Sequence, residues 1–152
     1  CLTKIKWGIW YILITDKTDK INKIIVIYIK KFLKPGFHSA NIILIIFYLY
    51  PGSILGHFLY DDSSTQPQLT RDFIISSNHL YAFIILSSLG VLAYQGTKKI
   101  KLVITYLFLL SIILELFHII IPTRAFEWTD LFGNIMGVLF IILIYKLKNK
   151  HA

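Results

Sequence analysis

Glu115 and His118 stand three residues apart in the most polar interruption of an otherwise apolar chain. At that spacing a carboxylate and an imidazole leave the same face of a helix, where a proton can pass between them. Downstream, Asp130, Asn134 and Gly137 recur at intervals of four and three. They form one helical stripe, and its glycine lets a neighbouring backbone come close. Pro122 is expected to end the first of these helices. Arg124 falls in the turn, where its planar fork suits a phosphate or a carboxylate. His79, well upstream, opens another apolar segment. Ionisable groups at the edge of a hydrocarbon layer are costly, so a set this rich needs a reason.

Several chemistries fit the set. Burial would raise the Glu115 carboxyl toward neutrality, which suits general acid–base work with His118. A mononuclear metal site from Glu115, His118, His79 and Asp130 is geometrically allowed. The E-x-x-H pair occurs once, however, whereas carboxylate bundles that bind two metals use two copies and further carboxylates. No metal and no cofactor are therefore expected. No P-loop, nucleophile elbow or H-E-x-x-H motif is present. His38 and His57 read as boundary residues and His151 as tail. The bland alternative is a satisfied polar network pinning helices together, at about 1 kcal/mol per interhelical hydrogen bond.

The elements that must position these groups are membrane spans. Apolar residues make up 56% of the chain against 16% charged, and they come in unbroken blocks rather than stripes. Four blocks, at residues 40–59, 77–94, 100–121 and 130–145, approach the ~20 residues that cross a bilayer. Pro51-Gly52 and Gly56 interrupt the first block, so a kink or early exit is expected there. Gly96 closes the second helix, and Thr129-Asp130 can cap the fourth. At ~1.5 Å per residue, Glu115 would lie about 9 Å below a third helix ending at Ile121. With Arg124 over the top and His79 at the same level, the groups are expected to converge between the second, third and fourth spans. The fold class predicted is an all-α membrane protein: a four-transmembrane-helix bundle with a basic, partly interfacial N-terminal arm.

The formal charge of +8 belongs to topology. All fourteen lysines lie before residue 35, between Lys98 and Lys101, or after Tyr145, at the flanks of apolar blocks. Nucleic acid is not an expected partner; the lipid bilayer is. The basic connections would face the cytoplasm, with both termini. Those carrying Asp61, Asp62, Asp72, Glu127 and Asp130 would face outside. The division expected is an arm at 1–39, a four-helix domain at 40–146 and a basic tail at 147–152. Within the arm, Trp7, Trp10 and Tyr11 favour an interface. Lysines at 20, 23, 30, 31 and 34 mostly share one helical face, which suits either a helix lying on an anionic leaflet or an arm that only enforces topology. Cys1 excludes an internal disulfide framework. Because Met136 is the only methionine, the chain reads as a piece of a longer one or as a shifted gene start. A lipidated Cys1 would put residue 1 outside, against the lysines that follow it.

The 115–137 segment resembles the VanZ-like family of small integral membrane proteins. The resemblance rests on Glu115, a polar residue three later, Pro122-x-Arg124, Asp130, Asn134 and Gly137, with His79 opening the preceding span. It covers roughly residues 47–145. Two positions depart from the pattern. The family commonly has glutamine where His118 stands, and Ile75-Ser76 replaces an Asp-Lys pair often found before the histidine. The resemblance implies a multi-pass protein of the bacterial inner membrane, an envelope context, and a link to glycopeptide antibiotic resistance through the family's name-giving member.

Three functions follow as alternatives. One is a factor that binds a lipid-linked or peptidoglycan-related component through His79, Glu115, His118, Arg124, Asp130 and Asn134, with Pro122 and Gly137 structural. Another is a membrane-embedded enzyme using Glu115 and His118 for proton transfer. The last is a scaffold with no ligand.

Overall fold

Runs of isoleucine, leucine and phenylalanine without internal breakers leave the backbone one way to satisfy its polar groups in lipid, which is the helix. The computed structural model describes residues 2–72 and 74–150, and for residues 2–17, 19, 22, 23 and 30 the backbone alone. Its elements are α1 (Leu2–Leu49), α2 (Ile54–Tyr60), α3 (Ser77–Tyr94), α4 (Ile100–Phe117) and α5 (Trp128–Lys150), with no strand among the described residues. Ile24–Leu49, α3, α4 and α5 are long and apolar enough to cross a bilayer. This is a multi-pass, all-helical membrane protein. Ile42, Ile46, Ile85, Leu102, Leu109 and Leu143 point outward around the bundle, as lipid-facing side chains do.

The second span matches its expected limits, and the other three differ. The first is drawn from Ile24–Leu49 rather than 40–59, because α1 stops at Leu49 just before Pro51-Gly52. Gly52 adopts φ +100, and α2 starts separately behind Ser53, whose hydroxyl accepts from the Gly56 amide. Pro35 lies within α1. The helix runs through residues 39 and 40 without a break at the expected edge of the basic arm. Cys1 and His151, and the side chains of Trp7, Trp10, Tyr11, Lys23 and Lys30, lie outside the described residues. The third helix ends at Phe117, with His118 as its C-cap, and so stops short of Pro122. Thr123 takes the left-handed φ of +67 that turns the chain back. The fourth helix begins at Trp128, so Thr129 and Asp130 occupy its first turn instead of capping it. A carboxylate there complements the positive end of the helix dipole.

The core is built by α3 against α5, α1 and α4, around Phe83, Leu86, Leu107 and Val138. Gly133 and Gly137 seat α5 on α3: a Cβ at Gly133 would stand 2.8 Å from the Ser76 carbonyl oxygen. At one end of the bundle, His38 bonds Tyr94 (2.9 Å) and Asn41 donates to Tyr106 (2.6 Å). At the other end, the polar 61–76 connection folds back on itself instead of trailing into solvent. Ser64 and Thr65 donate to Asp62, and those hydrogen bonds hold its carboxyl down at about 2. Asp72 accepts from the Ser77 amide at the start of α3 (2.7 Å). Asn78 donates to the Pro67 carbonyl and accepts from the Leu69 amide.

Candidate functional site

Five helix-borne side chains meet where α1, α3, α4 and α5 converge beside this loop. Tyr48 lies at the end of α1, His79 in the first turn of α3, Glu115 in the last turn of α4, and Asp130 and Asn134 in the first turns of α5. A backbone bond from the Ser76 amide to the Thr129 carbonyl (3.2 Å) ties the starts of α3 and α5 together and brings His79 to Asp130. Glu115 and Asn134 have no exposed surface, and His79 and Tyr48 are buried.

The contacts form one connected set. His79 Nε2 faces Asp130 Oδ2 at 3.2 Å, and its Nδ1 lies 3.8 Å from Glu115 Oε2. The Tyr48 hydroxyl donates to Asn134 Oδ1 at 2.6 Å and lies 3.0 Å from His79 Nδ1. Asn134 in turn donates to the Ser111 carbonyl (3.3 Å). Glu115 Oε1 accepts from the Glu127 amide (3.1 Å) and meets His118 Nδ1 (3.3 Å). The other nitrogen of His118 faces the Tyr48 carbonyl (3.1 Å), and the two rings stack. Glu115 Oε2 alone in this set has no hydrogen-bond partner.

His79, Glu115, His118, Asp130 and Asn134 are thus together, as the sequence predicted. Arg124 is not with them. Its guanidinium turns to backbone carbonyls at the end of α1, donating to Gly52 (2.6 Å), Phe47 (3.2 Å) and Tyr50 (3.3 Å), and it reaches Gln66 Oε1 at 3.5 Å. α1 stops within reach of the 118–127 turn, and the last carbonyls of a helix lack partners of their own, so a fork of donors fits there. Half-burial pulls the guanidinium below its ordinary value, while Glu115, then Tyr48 and Asp130, oppose the shift.

Tyr48 was missed. Its signal was a tyrosine inside an apolar block, whose hydroxyl needs a partner once buried. Gln66 was missed too, since nothing in a polar loop announces that it folds inward.

A cavity of about 350 Å³ opens beside the cluster under α2 and the 66–69 loop segment. Its walls are largely apolar, with Leu44, Leu55, Leu59 and Ile85 among them, and His79, His118, Tyr48 and Arg124 are among its polar lining residues. Asp130, Glu115 and Asn134 lie behind the histidines and outside the lining.

Replacing His118 by glutamine is expected to leave a folded protein. One amide can keep one of the two contacts, so the loss should be about 0.5–1.5 kcal/mol. Thermal unfolding in detergent measures it; a chain that no longer folds would show the imidazole to be structurally required.

A family model described as VanZ/LLP1 matches residues 23–149. No curated protein and no solved structure matches the chain.

Proposed function

This chain belongs to the VanZ/LLP1 family, and on that premise we propose that it binds an amphipathic cell-envelope component, lipid-linked or peptidoglycan-related, in the cavity beside the histidine–carboxylate cluster. The observation that carries this reading is the cavity itself: a mostly apolar chamber of about 350 Å³ with imidazole, phenol and guanidinium groups on its wall. Such a surface suits a ligand that is apolar along most of its length and polar at one end. Arg124, with Gln66 and Asn78 nearby in the lining, would meet the polar end, and Leu44, Leu55 and Ile85 the apolar part. Glu115, Asp130 and Asn134 would act from behind by fixing His79 and His118.

In this reading the protein sits in the bacterial inner membrane with both termini cytoplasmic, because its lysines flank the opposite end of the bundle. The cavity then opens toward the side where envelope intermediates and glycopeptide antibiotics meet. Protection against such an antibiotic is the cellular consequence proposed.

The test is a filled cavity. Ala82 lines the chamber and takes part in none of the cluster's contacts, so Ala82→Phe should leave the fold intact. Native mass spectrometry of wild-type protein from bacterial membranes should show a bound amphipathic lipid, reduced at least tenfold in Ala82→Phe. Equal retention by both proteins, or none by the wild type, would discard the reading.

A second reading, proton transfer by Glu115 and His118, is favoured by their 3.3 Å contact beside the cavity. A resistance phenotype lost in His118→Gln but kept in Ala82→Phe would select it.

A further inference from the structure

His79 meets Asp130 in a way that leaves one hydrogen unaccounted for. The Tyr48 hydroxyl has a single proton, and it goes to Asn134 Oδ1 across the short 2.6 Å contact. With that proton placed, the phenol oxygen and Asn134 Oδ1 both stand as acceptors toward His79 Nδ1, at 3.0 and 3.2 Å. Nδ1 is therefore the nitrogen that carries hydrogen in the neutral ring. Nε2 is then a lone pair 3.2 Å from Asp130 Oδ2, which is another acceptor. Two lone pairs hold this distance only with a proton or a metal ion between them.

A second observation lies on the other side of the same imidazole, 3.8 Å from its Nδ1. Glu115 Oε1 is engaged by His118 and the Glu127 amide, while Oε2 is fully buried with no hydrogen-bond partner and lies on the His79 side. A carboxylate oxygen without a partner is expensive where no water reaches it. Arg124 cannot serve either carboxylate, since it is spent on carbonyls at the end of α1.

We propose that His79, Glu115 and Asp130 bind one divalent transition-metal ion, of the zinc class, between α3, α4 and α5. One ligand atom from each residue lies within 4.8 Å of the other two. Bonds of about 2.0–2.2 Å to nitrogen and oxygen would draw them together by roughly 1 Å, within the reach of side-chain rotation. A neutral imidazole with two carboxylates suits zinc, and Tyr48 and Asn134 at Nδ1 supply the outer contacts that orient a ligating histidine. The site shares His79 with the cavity wall, but neither of its carboxylates lines that chamber. It makes the cluster a cross-link between three spans.

The experiment uses the full chain in detergent, stripped with a chelator and titrated with Zn²⁺ alone and with Co²⁺ alone. One tightly held zinc per chain is expected by elemental analysis, with a rise of several degrees in the unfolding midpoint. Co²⁺ should give the visible absorption of a low-coordinate site. Asp130→Asn is the informative variant, since that side chain is 19% exposed and tolerates change better than Glu115. It should bind zinc at least tenfold more weakly, while His57→Gln, on the surface helix α2, should bind as wild type. If wild-type protein holds no zinc at one equivalent and shows no cobalt spectrum, a proton closes the His79–Asp130 contact and the proposal fails. It fails equally if Asp130→Asn keeps full affinity, or if His57→Gln loses the metal. None of these failures touches the cavity-filling result with Ala82→Phe.

Discussion

Gly137→Leu is expected to abolish the folded bundle, and Gly137→Ala to destabilise it by about 1–3 kcal/mol as an overpacked contact. A Cβ at this position would stand 2.7 Å from the Leu80 carbonyl oxygen, 2.9 Å from Phe83 Cβ and 3.1 Å from the Ile84 amide nitrogen. None of those atoms ends a flexible side chain, so the relief must come from α5 moving off α3. That motion would carry Asn134 and Asp130 away from Tyr48 and His79 and take the cluster apart. Gly36→Ala is the built-in control, because nothing lies within 4 Å of its added carbon. Removing a glycine from a helix should stabilise by roughly 0.5–1 kcal/mol. Unfolding in a graded series of denaturing detergent measures all three. A wild-type midpoint for Gly137→Ala would refute close backbone approach as the basis of this packing.

Arg124→Lys should be almost as damaging as Arg124→Ala, at about 2–4 kcal/mol, since hydrogen bonds to a charged group contribute about 1.5–3 kcal/mol each. The guanidinium holds carbonyls at Phe47, Tyr50 and Gly52 and also reaches Gln66. An ammonium is a point charge on a flexible stem and cannot span that set. The readout that separates this role from general destabilisation is local. Hydrogen–deuterium exchange should rise over residues 50–66 before it rises in α4. If Arg124→Lys keeps both the midpoint and the protection of that loop, the guanidinium is not the clasp.

The site was legible wherever helical periodicity set it. Glu115 with His118, and Asp130 with Asn134 and Gly137, share faces because their spacing leaves no other arrangement in a helix, and the structure keeps both groupings. Arg124 was misplaced for a related reason. It sits in a turn, where spacing says nothing about direction, and reading its fork as suited to a phosphate or a carboxylate leaves out the unpaired carbonyls at the end of α1. Those carbonyls exist because Pro51-Gly52 stops that helix at Leu49.

Composition and breakers by themselves determined an all-helical chain with four crossings, and they marked the polar segment that matters, because in lipid each helix closes its own hydrogen bonds from local sequence. Only the tertiary structure decided that Tyr48 joins the histidines, that the 61–76 connection turns inward beside a cavity, and that Glu115 is left with one oxygen unmatched. Those outcomes depend on which helix faces meet and at what height. That choice is made by distant partners such as Gly137 with the Leu80 carbonyl, which no local pattern encodes.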